Sequence, residues 1–195
     1  MATTPLYDAV GAPGTAPPPL VDWTRRLEQA SFLDGPAGLL QHLAEALVAD
    51  RSRRDLLQGR WLGHALHPVL TDLPIGFWVS TNVLDLVGGR QARPAATRLL
   101  ALGVLSAVPA VITGYAEYAD TSRQDKRIGF VHAASNASAI ALFTASLKAR
   151  RSDHHARGVL LSFAGITAAS LGGFLGSHLN SARKVSSRHE AFADR

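Results

Sequence analysis

The sequence predicts an all-α fold, a four-helix transmembrane bundle preceded by a short N-terminal helical cytosolic appendage. Three long stretches, 99–116, 128–147 and 158–179, contain no charged residue. A helix of about 20 apolar residues crosses the hydrocarbon core of a bilayer. A soluble surface helix would instead show a polar residue every three to four positions. We therefore favour membrane helices over a soluble bundle of unusually apolar helices.

The composition excludes several classes of protein. The chain has 195 residues, of which 47% are hydrophobic and 18% charged, and this balance is unlike that of a disordered chain. The chain has no cysteine, which excludes disulfides, a thiolate nucleophile and cysteine-ligated zinc or iron–sulfur sites. The formal net charge is +5. No aromatic or recognition-helix pattern accompanies the basic runs, so nucleic acid is not an expected partner.

The first sixty residues precede the predicted membrane domain. Residues 1–19 are rich in Pro, Gly, Ala and Thr, and we expect a flexible tail without the features of a signal peptide. Residues 20–60 contain two short amphipathic patterns and a basic run at 51–54. They predict a helical appendage that lies on the membrane surface or on the bundle.

The membrane domain is predicted over residues 61–180, with spans at about 68–87, 99–116, 128–147 and 158–179. The first span carries Asp72 and Asp85 near its two ends, and Pro68 is suited to its first helical position. Residues 181–195 form a basic C-terminal tail. Lys and Arg near the membrane number 11 on the side of both termini and 7 on the other side. The positive-inside rule therefore predicts a cell-membrane protein with both termini in the cytoplasm.

Helix parity brings polar residues to one face of the membrane. Spans one and three begin on this face, and spans two and four end on it. Each of these ends carries histidine, carboxylate, tyrosine or asparagine side chains, and the residues are His64, His67, Asp72, Tyr115, Glu117, His132, Asn136 and His178. Imidazoles and carboxylates are ligands for first-row transition metals, and two histidines on different helices can ligate haem.

Three interpretations of this face remain open. The histidines could hold a metal or haem, they could form a structural polar cluster that closes the bundle, or they could conduct protons or ions. Conduction would need ionisable groups across the membrane, and spans two to four have none at mid-depth. No G-x-S-x-G motif and no phosphate loop is present, so we assign no catalytic residue.

Three motifs carry a resemblance to a known family. They are G-H-x-L-H-P at 63–68, H-A-x-x-N at 132–136 and the glycine-rich GGFLGSHL at 172–179. Together with the surrounding residues, over roughly 55–180, they resemble the bacterial membrane-protein family called domain of unknown function 2231. The resemblance implies four membrane helices without an established biochemical role. Family members are often joined to a Rieske-type iron–sulfur domain, which implies a redox setting, but this chain has no cysteine to hold such a cluster.

Two functions follow as expectations. In the first, the protein is a metal- or haem-binding component of a membrane redox system, with His64, His67, His132 and His178 as ligands. Asp72, Asn136, Glu117 and Tyr115 would then orient the imidazoles. In the second, the protein is a non-enzymatic membrane scaffold or interaction protein whose histidine cluster is structural. Besides the lipid bilayer, a redox protein and a second copy of this chain are the candidate partners.

Overall fold

The structure is a computed structural model, and it describes residues 16–187 and 189. These residues form α-helices with short 3-10 and π turns, and no strand is present among them. The all-α prediction is confirmed. The helices are α1 (Pro19–Gln29), α2 (Asp34–Leu47), α3 (Arg51–Leu57), α4 (Leu66–Val87), α5 (Arg93–Tyr118), α6 (Arg123–Arg151) and α7 (His155–Ser177).

Three of the described helical segments are long and apolar enough to cross a membrane. They are Arg90–Tyr118, Arg123–Arg151 and His155–Ala182, which contain α5, α6 and α7. Each contains one of the predicted uncharged stretches. The segment α4 has the length of a span but lies outside this set, because Asp72, Asp85 and several other polar residues lower its hydropathy. It also begins at Leu66, two residues before the predicted start at Pro68.

The long helices pack as two antiparallel hairpins. The first hairpin is α4 with α5, the second is α6 with α7, and the most extensive helix contacts lie within each hairpin. Smaller contacts join α5 to α6 and α4 to α7. A cluster of buried apolar side chains lies where the hairpins meet, around Trp78, Leu100 and Phe143.

Several contacts within the first hairpin recur at equivalent positions in the second hairpin. Adding 65 to a residue number in α4 gives its equivalent in α6, and adding 62 does the same between α5 and α7. Thr81 donates a hydrogen bond to the Ala96 carbonyl at 3.3 Å, and its equivalent Ser146 donates to the Gly158 carbonyl at 2.6 Å. Trp78 packs on Gly103 just as Phe143 packs on Gly165. The domain is therefore built from two parallel copies of one helical hairpin.

Contacts between the hairpins join equivalent residues. Trp78 stacks on Phe143 with ring centroids 4.2 Å apart. Asp85 forms a bidentate ion pair with Arg150, and both side chains are 1% exposed. A residue meets its own equivalent only near a twofold axis. The pairs therefore mark an approximate twofold axis that runs between the hairpins, the relation seen in parallel repeats of membrane proteins.

The segment before α4 packs on one end of the long helices. The Asp34 carboxylate at the start of α2 accepts hydrogen bonds from Arg127 Nε at 2.7 Å and Nη2 at 2.9 Å. The Tyr118 hydroxyl lies 3.1 Å from the carbonyl oxygens of Ala37 and Lys126, to either of which it can donate. Gln58 donates to the Ala116 carbonyl at 3.0 Å. These contacts hold α2 and the end of α3 against the junction of α5 and α6.

The predicted appendage and tails are only partly described. The sequence predicts two amphipathic helices within 20–60, and the structure has three, because the basic run at 51–54 lies in α3. Asp50 caps α3 by accepting a hydrogen bond from the Arg53 amide at 2.8 Å. Most of the predicted N-terminal tail, residues 1–15, lies outside the described residues, as do 188 and 190–195 of the C-terminal tail.

Candidate functional site

His67 lies in the first turn of α4 and points at α5. Its Nδ1 is 2.8 Å from the Ala110 carbonyl oxygen. Gly114, one turn further along α5, lets the ring approach, since a Cβ there would lie 2.9 Å from His67 Cε1. The Nδ1 must carry a proton to donate to this carbonyl, so in the neutral ring Nε2 keeps its lone pair.

His132 has the same environment in the second hairpin. Its Nδ1 is 2.8 Å from the Gly172 carbonyl oxygen on α7. Gly176 gives the ring its space, because a Cβ there would lie 2.8 Å from His132 Cε1. Gly172 is the equivalent of Ala110 beside His67, and Gly176 is the equivalent of Gly114. A neutral His132 that donates from Nδ1 likewise presents an unprotonated Nε2.

The two imidazoles meet near the twofold axis. Their ring centroids are 6.2 Å apart, and the ring planes are nearly perpendicular, at 86°. The Asn136 side-chain nitrogen lies 3.3 Å from His132 Nε2 and donates at 3.0 Å to the His132 carbonyl. Asn136 thus packs on His132, and its close approach to α7 depends on Gly172. Two imidazoles, each fixed by a carbonyl through Nδ1, form the centre of the candidate site.

Residues 63–189 match the model of a family described as "Predicted membrane protein (DUF2231)". The chain belongs to this family. The three motifs predicted this family. The matched region contains both hairpins and the two histidines of the pair. No curated protein and no solved structure was found to match the chain.

The other two histidines proposed as ligands have different surroundings in this DUF2231 protein. His64 is exposed and its Nδ1 lies 3.1 Å from the carbonyl oxygen of the next residue, Ala65. His178 follows α7, and its Nε2 lies 3.0 Å from a carboxylate oxygen of Glu28 in α1. Among residues 16–187 and 189, no three histidine or carboxylate side chains gather as a metal site. The structure therefore brings together His67 and His132, and not all four.

The four polar residues expected to orient the imidazoles do not all lie beside them. Of these four residues, Asn136 alone forms a hydrogen-bond contact with His67 or His132 in the described part of the chain. Asp72 lies on the exposed face of α4. Glu117 accepts hydrogen bonds from the backbone and hydroxyl of Ser187, at 2.8 and 3.0 Å, and thereby ties the segment after α7 to α5. Tyr115 is partly buried, and its hydroxyl forms no hydrogen bond with the part of the chain described.

The repeat that creates the pair is visible in the sequence, although helix parity alone does not reveal it. Trp78 follows His67 by eleven positions, and Phe143 follows His132 by eleven positions. The same spacing recurs between Gly103 and Gly114 and between Gly165 and Gly176. These paired spacings group His67 with His132 and leave out His64 and His178, because His64 aligns with Gly129 and His178 with Ala116.

Proposed function

We propose that all four of the helices α4 to α7 cross the membrane and that α4 is the first span. Its 22 residues reach about 33 Å at 1.5 Å per residue, the thickness of a hydrocarbon core. Apart from Asp72, its outward face is mainly apolar, with exposed Val69, Leu73, Val79 and Val83. The Asp85 charge is compensated by Arg150, and Asp72 lies less than two turns from the start of the helix.

With four spans, the segments before α4 and after α7 lie on the same side. The positive-inside count of 11 against 7 supports an arrangement with that side in the cytoplasm. A periplasm-active reporter fused after Arg195 should be inactive, and one inserted in the loop between α6 and α7 should be active. The reverse pattern would overturn the orientation, and activity at both positions would overturn the number of spans.

We further propose that His67 and His132 hold a redox-active metal centre between them. A first-row metal binds an imidazole nitrogen at about 2 Å, and the ring centroid lies about 1.1 Å behind that nitrogen. Two imidazoles on opposite sides of one ion therefore have centroids about 6 Å apart. The observed 6.2 Å separation is the single observation that carries this proposal.

The hydrogen bonds of the two rings support the same function. Histidines that bind metals usually donate their other ring N–H to a carbonyl or carboxylate, which fixes the ring and its tautomer. His67 and His132 both do so through Nδ1, at 2.8 Å. Two protein ligands leave positions for water, an amide oxygen or a porphyrin, so the centre is either a first-row transition metal ion or haem iron.

The proposed role of this centre is electron transfer to or from a redox protein. Among the described residues, the groups in hydrogen-bond contact with the two rings are the Ala110 and Gly172 carbonyls and the Asn136 amide, and none of these is an acid, a base or a nucleophile. Such surroundings suit a centre that changes its oxidation state better than one that activates a substrate. The protein would thus serve as a non-enzymatic component of a membrane redox system.

The experiment compares four single variants of the purified protein. His67→Gln and His132→Gln should each abolish most of the metal found by elemental analysis, or most of the absorbance in the haem Soret region. His64→Gln and His178→Gln are matched controls, because these histidines lie outside the pair, and both should keep the wild-type content. Equal losses in all four variants, or wild-type protein that takes up neither metal nor haem, would refute the proposal.

The second candidate function is that of a membrane scaffold. It is favoured by the two other pairs on the axis, because Trp78–Phe143 and Asp85–Arg150 join the hairpins without any ligand. In this function the imidazole pair is a third such contact, and each ring is already satisfied by one carbonyl. A scaffold predicts that His67→Gln lowers stability to the same extent with and without added metal. A metal centre predicts that added metal stabilises only the protein with both histidines.

A further inference from the structure

The opposite end of the long helices contains a basic cavity. The first turns of α5 meet the end of α6 and the start of α7 there, at the far end from the histidine pair. The cavity has a volume of about 510 Å³. Four arginines and a histidine line it, and they are Arg93, Arg98, Arg150, Arg151 and His155. The acidic residue in its lining is the exposed Asp153.

Three of these arginines have no acidic partner within the described part of the chain. Arg150 is neutralised by Asp85, but no carboxylate among the described residues forms an ion pair with Arg93, Arg98 or Arg151. At the other end of the helices, by contrast, several arginines are paired with a carboxylate. Arg127 binds Asp34, for example, and Arg183 binds Asp125. The cavity thus keeps an uncompensated positive charge that a bound anion would satisfy.

The backbone of α7 adds to this positive potential. The helix begins at His155, in the cavity wall, and no side chain of the described residues caps its first turn. The first N–H groups of a helix are free to donate, and the helix dipole places positive charge there. Arginine forks and helix N-termini are the groups with which proteins hold phosphate.

An apolar track leads away from the cavity along α5. Ala101 lies in the cavity wall. Below it, Leu105, Val108 and Ile112 follow at helical spacing and are 67%, 55% and 39% exposed. In a membrane this surface faces lipid, and acyl chains can lie along it. A small soluble anion would make no use of such a track.

We propose that the cavity is a binding site for an anionic phospholipid, with the phosphate between Arg93, Arg98 and Arg151 and the acyl chains along α5. Basic pockets between membrane helices recognise phospholipid headgroups in this way. The site is separate from the histidine pair and needs only that α5 to α7 lie in the bilayer. Each arginine close to an anionic lipid surface contributes about fivefold to binding, which gives roughly 100-fold for three.

The test measures lipid retention by native mass spectrometry of the full chain in detergent, with phosphatidylglycerol and phosphatidylcholine as probes. Wild-type protein should bind phosphatidylglycerol at least tenfold more tightly than phosphatidylcholine. The triple variant R93Q/R98Q/R151Q should lose this preference. The matched control R25Q/R26Q/R51Q removes three arginines from the other end of the molecule and should keep it.

Three results would overturn the proposal. The first is a triple variant that retains phosphatidylglycerol like the wild type while its melting temperature in detergent is unchanged. The second is equal loss of binding in the control variant, which would indicate a general charge effect. The third is complete displacement of the lipid by excess inorganic phosphate, which would reassign the cavity to a small soluble anion. A lipid-free melting temperature of the triple variant within a few degrees of wild type excludes misfolding as the cause of lost binding.

Discussion

Substituting Gly176 by alanine tests whether the imidazole of His132 lies against α7 as described. The new Cβ would lie 2.8 Å from His132 Cε1 and 3.2 Å from Nδ1, too close without a shift of the ring or the helix. Overpacking of this kind costs about 1–3 kcal/mol. Alanine also favours the helix over glycine by about 1 kcal/mol, which partly masks the cost. Gly173 supplies the matched control, because a Cβ there meets nothing within 4 Å.

The propensity gain is shared by both variants and cancels when they are compared. Gly176→Ala should therefore be less stable than Gly173→Ala by about 1–3 kcal/mol. A difference of 2 kcal/mol corresponds to roughly 4–8 °C in the melting temperature of a protein of this size. Thermal unfolding of both variants in the same detergent measures it. Because Gly114 has the equivalent place against His67, Gly114→Ala should behave like Gly176→Ala. Equal melting temperatures for Gly176→Ala and Gly173→Ala would refute the contact.

Three further predictions concern the axis and the docked N-terminal helices. Asp85→Asn should cost about 3–5 kcal/mol in stability, because it leaves Arg150 buried without a partner. The exchange D85R/R150D should recover much of this loss in detergent melts, since the two positions are equivalent. No recovery would contradict that equivalence. Trp78→Ala and Phe143→Ala should each lower the free energy of unfolding by about 3–5 kcal/mol. The double variant should lose about 0.5–1.5 kcal/mol less than the sum of the two single losses, because the stacking energy is lost only once. Strict additivity would argue against the stack. The hydrogen bond from Arg127 lowers the pKa of Asp34 below its usual 3.8, so the stabilising effect of this carboxylate is complete above pH 3.8 and is lost as the pH falls further. Proteolysis of the α1–α2 segment should therefore rise in acid for the wild type. A similar rise in Asp34→Asn would exclude this carboxylate as the cause.

Much of the fold could be predicted from the sequence, because the positions of charged residues mark where long apolar helices begin and end. The uncharged stretches identified α5, α6 and α7, and helix parity correctly put His67 and His132 at the same end of the helices. Parity cannot say which way a side chain points around its helix axis. It therefore could not separate His67, which faces α5, from Asp72, which lies on the exposed face of the same helix.

Long-range contacts determine where the other predicted site residues lie. His178 pairs with Glu28, 150 positions earlier, and Glu117 binds Ser187, 70 positions later. Nothing local in the sequence specifies such pairs, because they depend on how the first helices and the last residues pack on the end of the long helices. The duplicated hairpin is different. Its eleven-residue spacings are present in the sequence, and they are sufficient to group the two histidines without any knowledge of the packing.

X-ray absorption at the metal edge of the purified, metal-loaded protein tests whether His67 and His132 bind one metal together. We expect a first-row metal with two imidazole nitrogens at about 2 Å, or haem iron that would be held by the same two imidazoles. In the double variant H67Q/H132Q this imidazole signal should disappear, while H64Q/H178Q should keep it. A wild-type spectrum without imidazole scattering, or one that survives in H67Q/H132Q, would contradict the claim that the two hairpins meet to form a metal centre.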